Sequence, residues 1–208
     1  SALRAAGYRM IAPTHRFSNG LRGASEDCQG RMGLTAAGRA MMKSCFDFGL
    51  GVDLAHAAPA AIRDAAGMAL TYDGGPRPLI VSHAGVRKAH RVARNLRDAD
   101  IRAVASTGGL IGIGVWWEAV GFDLKDSFET KIERIVDAFA AALEALRQTD
   151  FVEEMEDRNG RYDPYEHLAI GSDFDGAVST PFDISGLSWL LAALARRPDP
   201  GGSDGDKL

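Results

Sequence analysis

The chain has 208 residues, a formal net charge of -4, 46% hydrophobic residues and 25% charged ones. That length holds one domain with a substantial core, and the charge gives no electrostatic reason for a nucleic-acid partner. No apolar run reaches the length of a bilayer span.

Ser1-Ala2-Leu3-Arg4-Ala5 lacks the charged-then-apolar order of a leader, so no signal peptide is expected there. Tyr8 to His15 reads as a strand ending in a histidine, with Pro13 marking its end. Residues 16–33 form a polar, glycine-containing loop. Thr35 is the expected N-cap of a helix to Phe48, stopped by Gly49, with Met42, Cys45 and Phe46 on one face. Gly51-Val52-Asp53-Leu54-Ala55-His56 is a second short run that ends in a histidine. A helix follows over 60–68, with Pro59 suited to its first turn. The turn Tyr72-Asp73-Gly74-Gly75-Pro76 leads into Leu79-Ile80-Val81-Ser82-His83, a buried strand with a histidine at its exit. Asp98 caps a short helix to Ser106, closed by Gly108-Gly109. Leu110 to Val115 is the next buried strand, and it runs into Trp116-Trp117-Glu118. The clearest helix spans Ser127 to Leu146, where Ile132, Ile135, Val136, Phe139, Leu143 and Leu146 make one buried stripe. Residues 150–166 are acidic, contain Asn159-Gly160 and Asp163-Pro164, and read as an exposed loop. His167 to Asp173 is a further strand, running into Phe174-Asp175-Gly176, and Leu187 to Arg196 is a last helix. Residues 198–208 are rich in Gly, Asp and Pro and read as a flexible tail behind a single domain over 1–197. Cys28 and Cys45 have neither metal-motif spacing nor the number for a disulfide framework. They read as free thiols, which favours a reducing, cytoplasmic compartment.

Strands therefore alternate with helices about five times, which argues for a parallel sheet with crossover helices. No glycine fingerprint of the dinucleotide or P-loop type opens any helix. His15, His56, His83 and Asp173 stand at the C-terminal ends of successive strands. One chemical residue from each of several strands is the habit of a (β/α)8 barrel, so an α/β fold of that barrel type is expected.

Histidines at strand ends with a carboxylate at another suit zinc, which would activate water and polarise a carbonyl. His56 and His83 share the same local grammar and are the best candidate ligands; the alternative is two core histidines bonded to backbone. Arg87, Lys88 and Arg91 read as a solvated helical face, while Arg94, beside Asn95, has the fork needed to clamp a carboxylate. Asp173 and Asp175 flank Phe174 and in an extended segment would share one side. One of them is a candidate general acid or base, or both cap the turn before Gly176. Trp116 and Trp117 wall a substrate pocket or pack under a helix.

Gly51 to His56, Leu79 to His83, Arg94-Asn95 and Ile170-Gly171-Ser172-Asp173-Phe174-Asp175-Gly176, in that order, resemble the signature of the membrane (renal) dipeptidase family. Met10 to His15 and Gly33-Leu34-Thr35 through Gly38 resemble its preceding segments. The likeness runs from about Gly7 to Arg196. It implies a zinc-dependent dipeptidase on a (β/α)8 barrel, binuclear in the family, whose substrate is a small peptide with a free carboxylate. It further implies that His56 and His83 bind the second metal. His15 would contact the substrate and stabilise the oxyanion, Arg94 would hold the substrate carboxylate, and Asp173 would transfer the proton to the leaving amine.

The family's His-x-Asp strand and bridging glutamate, ligands to the first metal, have no counterpart in this sequence, nor has its final strand and helix. The barrel is therefore expected to be incomplete at both ends. The sequence is expected to be a portion of a longer chain rather than a shortened relative that lost one metal. Two other readings remain at this point: a non-catalytic relative acting as a binding or scaffold protein, and another metal-dependent amide or ester hydrolase. A homo-oligomer is compatible with all three.

Overall fold

The computed structural model describes residues 2–27, 30–175 and 178–197, so the Cys28 thiol, Gly176 and the tail over 198–208 lie outside the described residues. The elements in chain order are α1 (Ala2–Ala5), β1 (Met10–Ile11), α2 (Ala36–Asp47), β2 (Gly51–Val52), α3 (Pro59–Leu70), β3 (Ile80–Ala84) and α4 (Asp98–Ala105). They continue with β4 (Leu110–Gly114), α5 (Trp117–Val120), α6 (Phe128–Leu146), α7 (Thr149–Asn159), β5 (Leu168–Gly171) and α8 (Leu187–Arg196). The expected alternation of short strands with helices is present. The described strands form no closed barrel. Among the described residues, β1 and β2 form one parallel pair and β3, β4 and β5 form a second sheet in that order. A parallel bridge between Asp53 and Ile80 continues the strand order from β2 to β3.

The chain divides into two compact units. One takes the residues up to Ser82 together with Ala99–Ile111; the other takes His83–Asp98 and the residues from Gly112 on. In the first unit, Thr35 caps α2 by accepting the Gly38 amide at 3.0 Å, and Gly49 leaves the helix in the left-handed region with φ 63°. Met42, Cys45 and Phe46 are buried on one face of α2, as the sequence indicates. Pro59 opens α3, whose buried side is alanine-rich with Ile62. The small side chains let this helix approach its neighbours closely, and α2 packs on it.

In the second unit α6 carries the stripe read from the sequence: Ile132, Ile135, Val136, Phe139, Leu143 and Leu146 are all buried. Ser127 caps it by accepting the Thr130 amide at 3.2 Å. Within the region expected as an exposed acidic loop, residues 150–159 belong instead to the helix α7. Phe151 and Met155, one turn apart, are its two buried anchors, and Gly160 ends it in the left-handed region with φ 73°. Two apolar residues in an otherwise charged stretch give almost no periodic signal, so packing decides where pattern does not. The basic stretch after β3 also departs from expectation. Residues 85–97 are turns rather than a helical face, and Arg87 donates both its amide to the Leu96 carbonyl (2.8 Å) and its guanidinium to the Val92 carbonyl (3.0 Å).

Candidate functional site

The first unit brings His15 and His56 together. Neither sits in a strand: His15 follows β1 by four residues and His56 follows β2 by four. Their rings meet edge to face with centroids 4.4 Å apart. His56 holds a left-handed backbone with φ 62°, a conformation that costs a non-glycine residue about 1–3 kcal/mol and persists only where the surroundings over-determine it.

Here the surroundings are the loop that follows His15. Ser25 donates its amide to the His56 carbonyl at 2.9 Å, Ala58 donates to the Gly23 carbonyl at 2.9 Å, and Ala24 and Ala57 form an antiparallel bridge. Arg22, fully buried, donates from Nε to the Thr14 hydroxyl (2.7 Å) and from Nη2 to the Ala55 carbonyl (3.0 Å). One guanidinium thus grips the residue before each histidine. The Asp27 carboxylate accepts the amide and hydroxyl of Ser18, both at 2.6 Å, and closes the loop. Glu26 then lies with Oε2 3.2 Å from His56 Nδ1.

A second brace acts at the ends of β2 and β3. Asp53, 5% exposed, accepts the amides of Ala55 (2.9 Å) and Ser82 (3.0 Å) through Oδ1 and the Ser82 hydroxyl (2.6 Å) through Oδ2. Ser82 is the residue before His83. Asp53 is a charge inside an apolar-leaning run, a signal that could have pointed to it; Arg22 and Glu26 have no such signal.

The second unit brings His83, Asp173 and Arg94 together. His83 lies within β3, and its Nε2 is 3.9 Å from Asp173 Oδ2, outside hydrogen-bond range but within reach of a charge interaction. Asp173 stands two residues beyond β5 with φ 53°, and Asp175 has φ 74°. The segment is therefore not extended, and the shared side expected for the two aspartates does not follow from strand alternation. Arg94 is half-buried and donates from Nη2 to the His83 carbonyl at 2.8 Å. Its neighbour Asn95 fixes the loop, donating to the carbonyls of His90 (2.8 Å) and Ala119 (2.7 Å). Gly85 is required there, since a Cβ on it would lie 2.2 Å from the Ala119 carbonyl oxygen and 2.3 Å from Asn95 Oδ1. Trp116 is buried with its ring 5.8 Å from that of His83, whereas Trp117 is 41% exposed.

The donor chemistry suits zinc in kind but not in number. Both histidines offer imidazole nitrogen. Among the described residues, however, no group of three or more His, Cys, Asp or Glu side chains is placed to hold an ion.

A model of the membrane dipeptidases (peptidase family M19) matches residues 1–202. The chain belongs to this family. The dipeptidase verJ of Clonostachys rogersoniana is 30% identical over 196 residues, which are 92% of this chain and 43% of that protein. An uncharacterized protein in the pqqA 5' region of Klebsiella pneumoniae is 29% identical over 203 residues, 93% of this chain and 65% of that one. A metallo peptidase from Rhodobacter sphaeroides, solved with a phosphinate mimic of the dipeptide L-Ala-D-Ala, has a TM-score of 0.65 at 24% identity. That match covers 92% of this chain and 50% of that one. The probable dipeptidase PvdM from Pseudomonas aeruginosa has a TM-score of 0.66 at 18% identity, over 98% and 60%. These two likenesses show the fold. The chain spans between two fifths and two thirds of the length of the two curated relatives.

Proposed function

We propose that the protein is a zinc-dependent dipeptidase that hydrolyses small peptides with a free carboxylate, with residues 1–197 belonging to one barrel-type domain. Family membership supports the reaction class. The observation that carries the assignment of roles is the cluster in the second unit, where Asp173 and Arg94 both converge on His83.

His56 and His83 are each proposed as imidazole ligands to zinc, which when bound supplies a Lewis acid that activates water and polarises the scissile carbonyl. Arg94 offers the planar donor fork that recognises a substrate carboxylate in two-point fashion. That clamp selects short peptides with a free C-terminus and sets the bond relative to Asp173. As water adds and the carbonyl oxygen becomes negative, His15 donates to that oxygen. Asp173 takes a proton from the attacking water and gives it to the leaving nitrogen. The carbon–nitrogen bond then breaks, releasing an amine and a carboxylate.

Turnover of a dipeptide panel, with D- and L-residues at the C-terminal position, tests this in the zinc-supplemented protein. Asp173→Asn should lower kcat by about 10²–10⁴-fold while leaving KM nearly unchanged. Arg94→Ala should raise KM and abolish the preference for a free carboxylate over its amide. Zinc-loaded protein without dipeptide turnover refutes the reaction. An unchanged carboxylate preference in Arg94→Ala refutes the clamp.

A further inference from the structure

We propose that Arg22 is a positioning residue for His15: its buried guanidinium ties two chain segments together just before the histidines and so holds the His15 ring where it can donate to a developing oxyanion. The inference rests on the reading of His15 as that donor. The β1–β2 pairing sets Ile11 opposite Val52, and the Asp53 amide donates to the Ile11 carbonyl at 2.9 Å. Three residues beyond these partners stand Thr14 and Ala55, and one residue further stand His15 and His56. Arg22 joins the first of these two pairs, donating from Nε to the Thr14 hydroxyl at 2.7 Å and from Nη2 to the Ala55 carbonyl at 3.0 Å. The second pair meets ring to ring, with centroids 4.4 Å apart. The side chain thus carries the strand register past the point where the backbone leaves strand geometry.

The grip needs a guanidinium. Nε and Nη2 lie along one edge of a rigid plane, so they fix the separation of their two acceptors, which an ammonium on a flexible stem cannot do. Arg22 is 0% exposed, and a buried cation carries a desolvation cost that an apolar side chain of like volume avoids. What distinguishes Arg22 is therefore the geometry it imposes. Its own backbone is fixed as well. Arg22 forms an antiparallel bridge with Leu34, its amide donates to Asn19 Oδ1 at 3.3 Å, and its carbonyl accepts the Asn19 amide at 3.2 Å. Asn19 Nδ2 in turn donates to the Pro13 carbonyl at 2.8 Å. Pro13 and Thr14 are thus both held from residues 19–22. Thr14 is buried and His15 is exposed, so the ring leaves the anchored residue directly for the surface, aimed by that anchor and by the edge of His56.

Thr14→Val and Thr14→Ser separate this role from packing. Valine keeps the branched shape and loses the acceptor; serine keeps the acceptor and loses a methyl group. In the metal-free full chain, NMR cross-relaxation between the His15 and His56 ring protons reads their contact. It should persist in wild type and Thr14→Ser and be lost in Thr14→Val and Arg22→Ala. In the zinc-supplemented protein, kcat for the best dipeptide of the panel should fall about 10–100-fold in Thr14→Val at nearly constant KM, the cost of a misplaced group. Thr14→Ser should stay within about threefold of wild type. His15→Ala, which removes the donor itself, sets the limit at about 10²–10³-fold. A merely structural Arg22 lowers the melting temperature of Thr14→Val but leaves the ring contact and the kcat of the folded protein unchanged. That result overturns the proposal, while a loss of kcat in His15→Ala keeps the oxyanion reading. Thr14→Ser as damaging as Thr14→Val overturns it too, since packing then accounts for both, as does a wild type without the ring contact. His15→Ala as fast as wild type, or a wild type without turnover, takes the oxyanion reading and the proposal down together.

Discussion

Asp53→Ala is the substitution for which the structure gives the clearest cost. The Asp53 carboxylate receives three hydrogen bonds, from the Ala55 amide, the Ser82 amide and the Ser82 hydroxyl, at 2.9, 3.0 and 2.6 Å. Alanine accepts none of them. The Ser82 hydroxyl rotates to another acceptor, but the two amides are fixed by the backbone and become unpaired. An unsatisfied buried donor costs about 1–3 kcal/mol, so the two together cost about 2–6 kcal/mol. Removing the half-compensated charge itself relieves some desolvation, which sets the net loss at about 3 kcal/mol. For a chain of this size that lowers the melting temperature by about 6–12 °C.

Asp53→Asn is the control that isolates the mechanism. Its carbonyl still accepts both amides, and its NH₂ group faces a hydroxyl that can turn to accept. The expected cost is about 1 kcal/mol. Urea unfolding of the three proteins, compared at unchanged m, gives both numbers. Asp53→Ala within about 1 kcal/mol of wild type, or Asp53→Asn as damaging as Asp53→Ala, refutes the reasoning that the two amides carry the effect.

Tyr162 is stacked against His167 and edge-on to Phe151, and burial is the main force that pushes its hydroxyl pKa above the usual range, with the Asp163 charge adding to it. The folded state then keeps this proton where an unfolded tyrosine, with a pKa of about 10, releases it. Stability from this source is complete below about pH 10 and falls as pH rises above it. Tyr162→Phe should therefore flatten the decline in urea midpoint between about pH 9 and 11, and an identical decline in both proteins counts against the assignment. Cys45 is 3% exposed, lies 3.4 Å from the Met41 sulfur, and has its thiol pKa raised by burial. In a Cys28→Ser background, a thiol reagent should label Cys45 only after unfolding; rapid labelling of the native protein contradicts the burial.

How much of this was legible in the sequence depends on the distance over which each signal acts. The α6 stripe repeats over about four turns, and the caps Thr35 and Ser127 act within three residues, so these helix positions followed from pattern alone. The α7 helix failed the same test because its only anchors are Phe151 and Met155. For the site, the strand-end rule offered His15, His56, His83 and Asp173 as candidates, and the guanidinium fork beside Asn95 offered Arg94. It could not find Arg22, Glu26 or Asp53, whose partners are 30 or so positions away: Arg22 and Ala55 are separated by 33 residues, His56 and Glu26 by 30, and Asp53 and Ser82 by 29. A single sequence holds no record of such pairs.

The strand-end rule also assumed, for two of its candidates, a geometry they do not have. His56 is not at a strand exit but in a left-handed turn four residues beyond β2, and Asp173 turns the same way two residues beyond β5. Of the three non-glycine residues with positive φ among the described residues, two are site candidates and the third, Asp175, is next but one to Asp173. An extended exit would alternate its side chains and aim each by strand register. A left-handed residue is aimed by whatever holds its backbone. For His56 that is the amide of Ser25 on its own carbonyl, and the Ala58–Gly23 bond just beyond it. Placing the imidazole therefore depends on the loop over 16–33, which composition marks only as polar and glycine-containing. This segment, with no apolar period and no motif of its own, supplies Arg22, Ser25 and Glu26 to the histidines. Its sequence should matter to the site more than its loop character suggests.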